Sequence, residues 1–199
     1  MTVAAPSVDA MNSFLISFGA ASCLALGASI GAPGAVEAFT GETTATSLVL
    51  ALGAAFGPTS IVALYLYGGR KDAFGNVAFA LCAIGVALFA GVAFTLNLAV
   101  FHLEPAPADA LLAGLTGTVL KLCGLVFVVG AVLFGIGMLR ARVLNPVPVV
   151  GFLLGVPALA VFANLPDGPV GSLVHVALGL SIVALGTQML TARARSVAR

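Results

Sequence analysis

ALLAGLTGTVLKLCGLVFVVGAVLFGIGMLRAR, residues 110–142, decides the fold. Its first thirty residues, 110–139, hold one charged side chain, Lys121, and no proline, and the run ends on Arg140 and Arg142. As a helix this stretch is about 45 Å long, at about 1.5 Å per residue. A bilayer hydrocarbon core is about 30 Å thick. The stretch therefore predicts a membrane-spanning helix that tilts or runs past the lipid.

Five further apolar runs predict helices of the same kind, at residues 11–30, 46–67, 74–100, 147–164 and 169–190. The whole chain of 199 residues is 61% hydrophobic and 8% charged, with mean hydropathy +1.19. A soluble domain carries roughly 25% charged residues, so a water-facing surface cannot be built from this composition. The expected fold is all-α: one domain, residues 1–199, made of six transmembrane helices. Between the runs lie short segments with turn chemistry: Gly31 to Gly34 with Pro33, Gly68 to Asp72, Glu104 to Pro107, Asn145 with Pro146, and Pro166 to Pro169. The residues before Met11 carry Asp9 and no Lys or Arg, so the first run is expected to stay as a helix rather than serve as a cleaved signal.

Charge orients the helices. Arg70 and Lys71, then Arg140 and Arg142, then Arg193, Arg195 and Arg199 fall on one side if the chain crosses six times. Glu37, Glu42, Glu104, Asp109 and Asp167 fall on the other, with no Lys or Arg among the loops there. The positive-inside rule then places both termini in the cytoplasm. A net charge of +1 without a basic run excludes nucleic acid as a partner. Lipid, a second copy and other membrane subunits are the expected partners. Cys23, Cys82 and Cys123 lie singly in apolar runs, without a C-x-x-C pair, and read as small apolar side chains.

Few residues carry candidate chemistry. Lys121 is the only charge deep in a span, and an ion there costs at least about 2.5 kcal/mol. No Asp or Glu lies at matching depth, so the alternatives are a neutral amine, hydrogen bonds to hydroxyls, an anionic ligand, or an amine that snorkels to the interface. The second run holds Gly53, Gly57 and Pro58, and the fifth holds Gly151, Gly155 and Pro157. Gly/Pro-interrupted helices in the middle of two halves can frame a midplane site, although packing helices kink for the same reason. A ligand-binding cavity would thus draw on Lys121, Pro58, Thr59, Ser60 and Pro157. The pairs Gly27 and Gly31, Gly53 and Gly57, and Gly151 and Gly155 fit close helix packing, within one bundle or between copies. His102, Glu104 and His175 fall toward the acidic side, where they read as a metal or haem set or as solvated interfacial groups. No phosphate loop, nucleophile triad or metalloprotease motif is present, so an enzyme and a resident cofactor are not expected.

The run Gly130 to Pro146, with Gly135, Gly137, Arg140 and Arg142, continues through Gly151, Gly155, Leu165 and Pro166 to Gly179 and Gly186. This pattern resembles a diffuse group of bacterial, actinobacterial-type six-span membrane proteins without an established activity. The resemblance covers about the C-terminal half; it implies six helices and assigns no functional residue. Three function classes stay open: small-molecule or ion binding and transport through a cavity near Lys121; a non-catalytic membrane subunit or scaffold; and a haem or metal enzyme using the two histidines.

Overall fold

The computed structural model describes residues 8–162 and 168–197, and their side chains from Met11 to Val161 and from Gly168 to Ala192. Asn164, Pro166, Asp167 and Arg199 lie outside the described residues, as does the end of the run expected to reach residue 164.

The described residues are helical almost throughout. Helix α1 runs Val8–Thr40, α2 Thr44–Gly53, α3 Gly57–Gly68, α4 Ala73–Phe94, α5 Pro105–Ala113, α6 Leu115–Ala141, α7 Pro146–Phe162 and α8 Pro169–Val197. A single 3-10 turn, Ala54–Phe56, joins α2 to α3, and a π-turn, Thr95–Ala99, then a 3-10 turn, Val100–His102, extends α4. Five segments are long and apolar enough to cross a bilayer: Met11–Thr40, Thr44–Gly68, Ala73–His102, Leu115–Ala141 and Pro169–Ala192. Pro146–Val161 is equally apolar but shorter. The chain is a multi-pass, all-α membrane protein.

Local chemistry sets the ends. At α2, the Thr43 hydroxyl accepts from Thr46 N at 3.2 Å while Thr43 N donates to Thr46 Oγ1 at 2.9 Å, a reciprocal cap. Gly41, with φ +70°, makes the preceding turn. At α4, Asp72 caps by accepting from Gly75 N at 2.8 Å. Helix α6 stops at Arg142 in the left-handed region, φ 55°, whose N–H donates to Met138 O at 3.3 Å.

Two expected boundaries move. The turn expected at Gly31 to Gly34 is helix: Pro33 sits inside α1, buried. A proline costs a helix one N–H and a displaced carbonyl, and a packed neighbour can hold the turn together. Here Gly34 lies directly against His175 and Ser172 of α8. The long run at 110–139 is two helices. Gly114, extended at ψ −161°, ends α5 and starts α6, so the crossing helix begins at Leu115.

Helix neighbours form a closed ring in the order α1, α3, α4, α6, α7, α8 and back to α1, with α2 continuing α3 along α1. The glycine contacts fix directions. Gly27 meets Gly179 and Val183, while Gly34 meets His175 and Gly186 meets Ala20, so α1 and α8 are antiparallel. Gly85 meets Phe127 and Gly130 meets Cys82, so α4 and α6 are antiparallel. Gly151 meets Ser181 and Gly155 meets Leu178, so α7 and α8 are antiparallel. Inside the ring, Ile61, Leu64, Phe127, Phe134, Val156 and Leu178 belong to one continuous apolar cluster. Lipid tails are as apolar as the helices, so no hydrophobic force drives helix onto helix, and this close packing is what holds the ring.

Candidate functional site

Lys121 stands apart from the bundle interior. It is exposed on α6 together with Val119, Leu122 and Leu125, on the outer face of the ring. Of the alternatives left open by the sequence, this exposure agrees with an outward-facing, snorkelling Lys121 rather than one turned into the bundle. The break at Gly114 also shortens the count from the helix start. With α6 starting at Leu115, Lys121 lies six residues, about 9 Å, from the helix start. Helix α6 has 27 residues and is about 40 Å long, which leaves about 5 Å beyond the hydrocarbon at each end when centred. The Lys121 backbone is then only about 4 Å below the boundary, and helical side chains lean toward the N-terminus, here toward that boundary. Snorkelling is the geometry this position favours.

The other residues of the expected cavity are dispersed. Pro58 and Thr59 line a shallow groove of about 190 Å³ between α1 and α3, with Leu15, Phe18 and Val62, walled almost wholly by carbon. Ser60 is 1% exposed, within the core, its hydroxyl against the Cys23 thiol and donating to Phe56 O at 2.8 Å. Pro157 lies within α7, which stands across the ring from α3. Both helices project into the same apolar cluster.

Pro58 explains the 3-10 turn before it. Its ring displaces the Ala54 carbonyl and it has no N–H to offer. Gly57 N–H donates to Ala54 O instead, and the Thr59 and Ser60 hydroxyls both donate to Phe56 O, at 3.0 and 2.8 Å. The π-turn at Thr95–Ala99 has no proline. There Thr95 Oγ1 donates to Gly91 O at 2.9 Å and Asn97 Nδ2 to Ala93 O at 2.9 Å. Gly91 O also accepts from the Thr95 N–H, so the hydroxyl adds a second donor there, and the Asn97 amide gives Ala93 O a side-chain donor at the altered turn. The signal missed in the sequence is Thr95 with Asn97, two backbone-seeking side chains near a span end.

Most other span hydroxyls behave alike, Ser47 excepted, which donates to the Glu42 carboxylate. Ser17, Ser22, Ser29, Ser181 and Thr187 each donate to a carbonyl of their own helix, at 2.8 to 3.0 Å. Their polarity is consumed locally.

His102 is exposed after α4, beside Glu104, and stacks edge-on against Phe101 at 5.1 Å between ring centres. His175 is partly buried on α8, its Nδ1 2.9 Å from Gly171 O, with its Cβ against Gly34. Among the described residues no three His, Cys, Asp or Glu side chains are placed to hold a metal ion. His102, Glu104 and His175 therefore do not form the metal set considered from the sequence. Glu37, at the same end, keeps one carboxylate oxygen, Oε1, buried without a hydrogen-bond partner.

A polar construction that joins separate helices lies at the opposite end, where α3 meets α4 and α6 meets α7. Asp72 accepts from Arg70, and together with the Gly75 N–H this holds its carboxyl below the usual carboxylate range, the backbone bond first. Lys71 donates to Tyr65 O, and its amine lies 3.3 Å from the centre of the Tyr65 ring. Partial burial pushes the Lys71 amine down. The Tyr65 hydroxyl donates to Asn76 Oδ1 at 2.5 Å, and its ring stacks on Phe79. The Arg140 guanidinium lies 5.0 Å from the Phe74 ring centre. Leu144 fills the space beside Gly68, and Asn145 N donates to Gln188 Oε1 at 2.8 Å. Three segments far apart in the chain are thereby fastened together.

No family model, no curated protein and no solved structure matches this chain.

Proposed function

We propose that the chain crosses the membrane six times and acts there as a non-catalytic membrane subunit or scaffold. The support for six crossings is directional. Helices α6 and α8 both run opposite to the direction of α1: α8 packs antiparallel to α1, and α6 antiparallel to α4, which itself runs antiparallel to α3 as Gly57 meets Val86 and Tyr65 stacks on Phe79. Two consecutive long helices with one direction require a return between them. Helix α7 supplies it, starting beside the end of α8 at Gln188 and packing antiparallel to α8. Its 17 residues reach about 26 Å, short for a 30 Å core but within what local thinning accommodates. By the positive-inside rule the end bearing Arg70, Lys71, Arg140 and Arg142 faces the cytoplasm, with both termini on that side.

The observation that carries the scaffold role is the self-contained interior. The ring closes on a continuous apolar cluster, most span hydroxyls bond carbonyls of their own helices, and the deepest-lying cation faces outward. Such a body offers membrane-embedded surface rather than internal chemistry. Native mass spectrometry of the full chain in mild detergent tests this: a homo-oligomer or a stoichiometric complex with another membrane chain is expected. A strictly monomeric chain that carries a saturable ion or solute flux in proteoliposomes overturns it. That second reading, transport, draws on the interruptions at Ala54–Phe56 and Thr95–Ala99, which sit where α2, α3 and α4 meet. Cysteine labelling tests the topology: cysteines at Asp72 and Arg142 label from one side, and cysteines at Glu42, Asp109 and Gly168 from the other. A cysteine at Gly168 labelling with the Asp72 side refutes six crossings.

A further inference from the structure

The cationic end of the bundle is more than an orientation signal. Arg70, Lys71, Arg140 and Arg142 stand against one carboxylate, Asp72, in two turns that are physically joined. The joints are Phe74 beneath Arg140 and Leu144 against Gly68. Two of the cations are also held in place. Lys71 is fixed over Tyr65 and Arg140 over Phe74, while Arg142 projects from the left-handed end of α6. Aromatic faces restrain a cation while leaving its outward donors available. Beside these groups the surface turns apolar at once: Val77 on α4, Val143 in the connecting turn and Val147 on α7 are all exposed. An anion with only a charged head would use the first feature and gain nothing from the second.

We propose that this end holds an anionic phospholipid of the adjoining leaflet, its phosphate between the α3–α4 and α6–α7 turns and its acyl chains along the exposed valines. The opposite end repels the same ligand, since Glu37, Glu42, Glu104 and Asp109 surround it. The phospholipid would tie the first three crossings to the last three at the membrane surface. Each cation near such a headgroup is worth about fivefold in affinity, so loss of two lowers it about 30-fold.

The full chain in neutral detergent is titrated with short-chain phosphatidylglycerol, phosphatidylcholine or sodium phosphate, following thermal unfolding and retained lipid by native mass spectrometry. Wild type should bind phosphatidylglycerol at least about tenfold more tightly than phosphatidylcholine, with the preference shrinking at high salt. The double variant Arg140→Gln, Arg142→Asn should lose about 30-fold, asparagine being tolerated at the left-handed position. Should that variant not fold, Lys71→Gln should lose about fivefold. Lys121→Gln, at the far end of the bundle, should bind as wild type. A wild-type chain without lipid preference, or a preference kept in the folded variants, overturns the proposal. So does sodium phosphate reproducing the shift, which marks a free-anion site instead.

Discussion

Replacing Gly179 by alanine should unfasten the longest seam of the protein. A methyl group at Gly179 would stand 2.5 Å from Gly27 O and 2.7 Å from Gly31 N and Cα. All three are backbone atoms of α1, so no rotamer change relieves the contact. Ordinary contacts begin near 3.4 Å, so α1 and α8 must part by about 1 Å. The seam is also tight at Gly34, whose Cβ would lie 2.5 Å from His175 Cβ, and at Gly186, 2.8 Å from Ala20 O. A gap of that size forfeits roughly a quarter to a half of the dispersion energy across it. Overpacking of this kind costs about 2–3 kcal/mol, or a melting point lower by about 5–10 °C. Gly124→Ala is the matched control: nothing lies within 4 Å of its Cβ, and it sits inside α6. There alanine should be neutral or gain up to about 1 kcal/mol from helix propensity. Thermal unfolding of both variants in one detergent decides the matter. If Gly179→Ala melts with the wild type, or the two variants shift alike, the close α1–α8 contact is not what holds the bundle.

Lys121→Leu should fold and melt within about 0.5 kcal/mol of wild type, because the side chain faces outward near the interface; a loss above about 2 kcal/mol would reveal an interior partner. Asn97→Ala should cost about 1 kcal/mol, since Ala93 O loses its amide donor, and hydrogen exchange should rise locally around the π-turn. For Asp72, the folded carboxyl titrates below its unfolded value, so its stabilisation is present above about pH 4 and is lost as the pH falls through the folded value. Melting followed from pH 6 to pH 3 should show that loss in the wild type and a weaker dependence in Asp72→Asn.

What was legible in the sequence follows from what patterns encode. Apolar length is written residue by residue, so the five long apolar helices and the shorter Pro146–Val161 could be found, and the turn at Gly68 to Asp72 stands where expected, with Asp72 serving as cap. Packing partners are not written that way. Pro33 looked like a break, yet its helix continues because Gly34 seats against α8, a contact between residues far apart in the chain. Thr59 and Ser60 looked like ligand donors beside Pro58, but the proline itself sets their task by deranging the turn at Phe56. Hydroxyls near a proline therefore speak first for backbone repair.

Lys121 shows the same limit from the other direction. Its depth was inferred by counting from Ala110, and a single extended glycine, Gly114, removes five residues from that count. Its direction cannot be read at all from a run that is apolar on every side, because no polar face marks which side meets lipid. The glycines of α6 do mark it once contacts are known. Gly130 and Gly135 pack closely against α4 and α7, whereas Gly124 meets open space; Gly117 is crowded only by Leu112 of the adjoining α5. Lys121 and Gly124 are three residues apart and share a helical face, with Leu125 four from Lys121 on the same side. An uncrowded glycine and an exposed leucine thus assign the lysine outward by helical spacing, without reference to its own side chain. The energetic reason agrees: near a boundary an amine reaches water by leaning along its helix, whereas inside this ring it would displace the apolar cluster with no opposite charge among the described core residues to meet it.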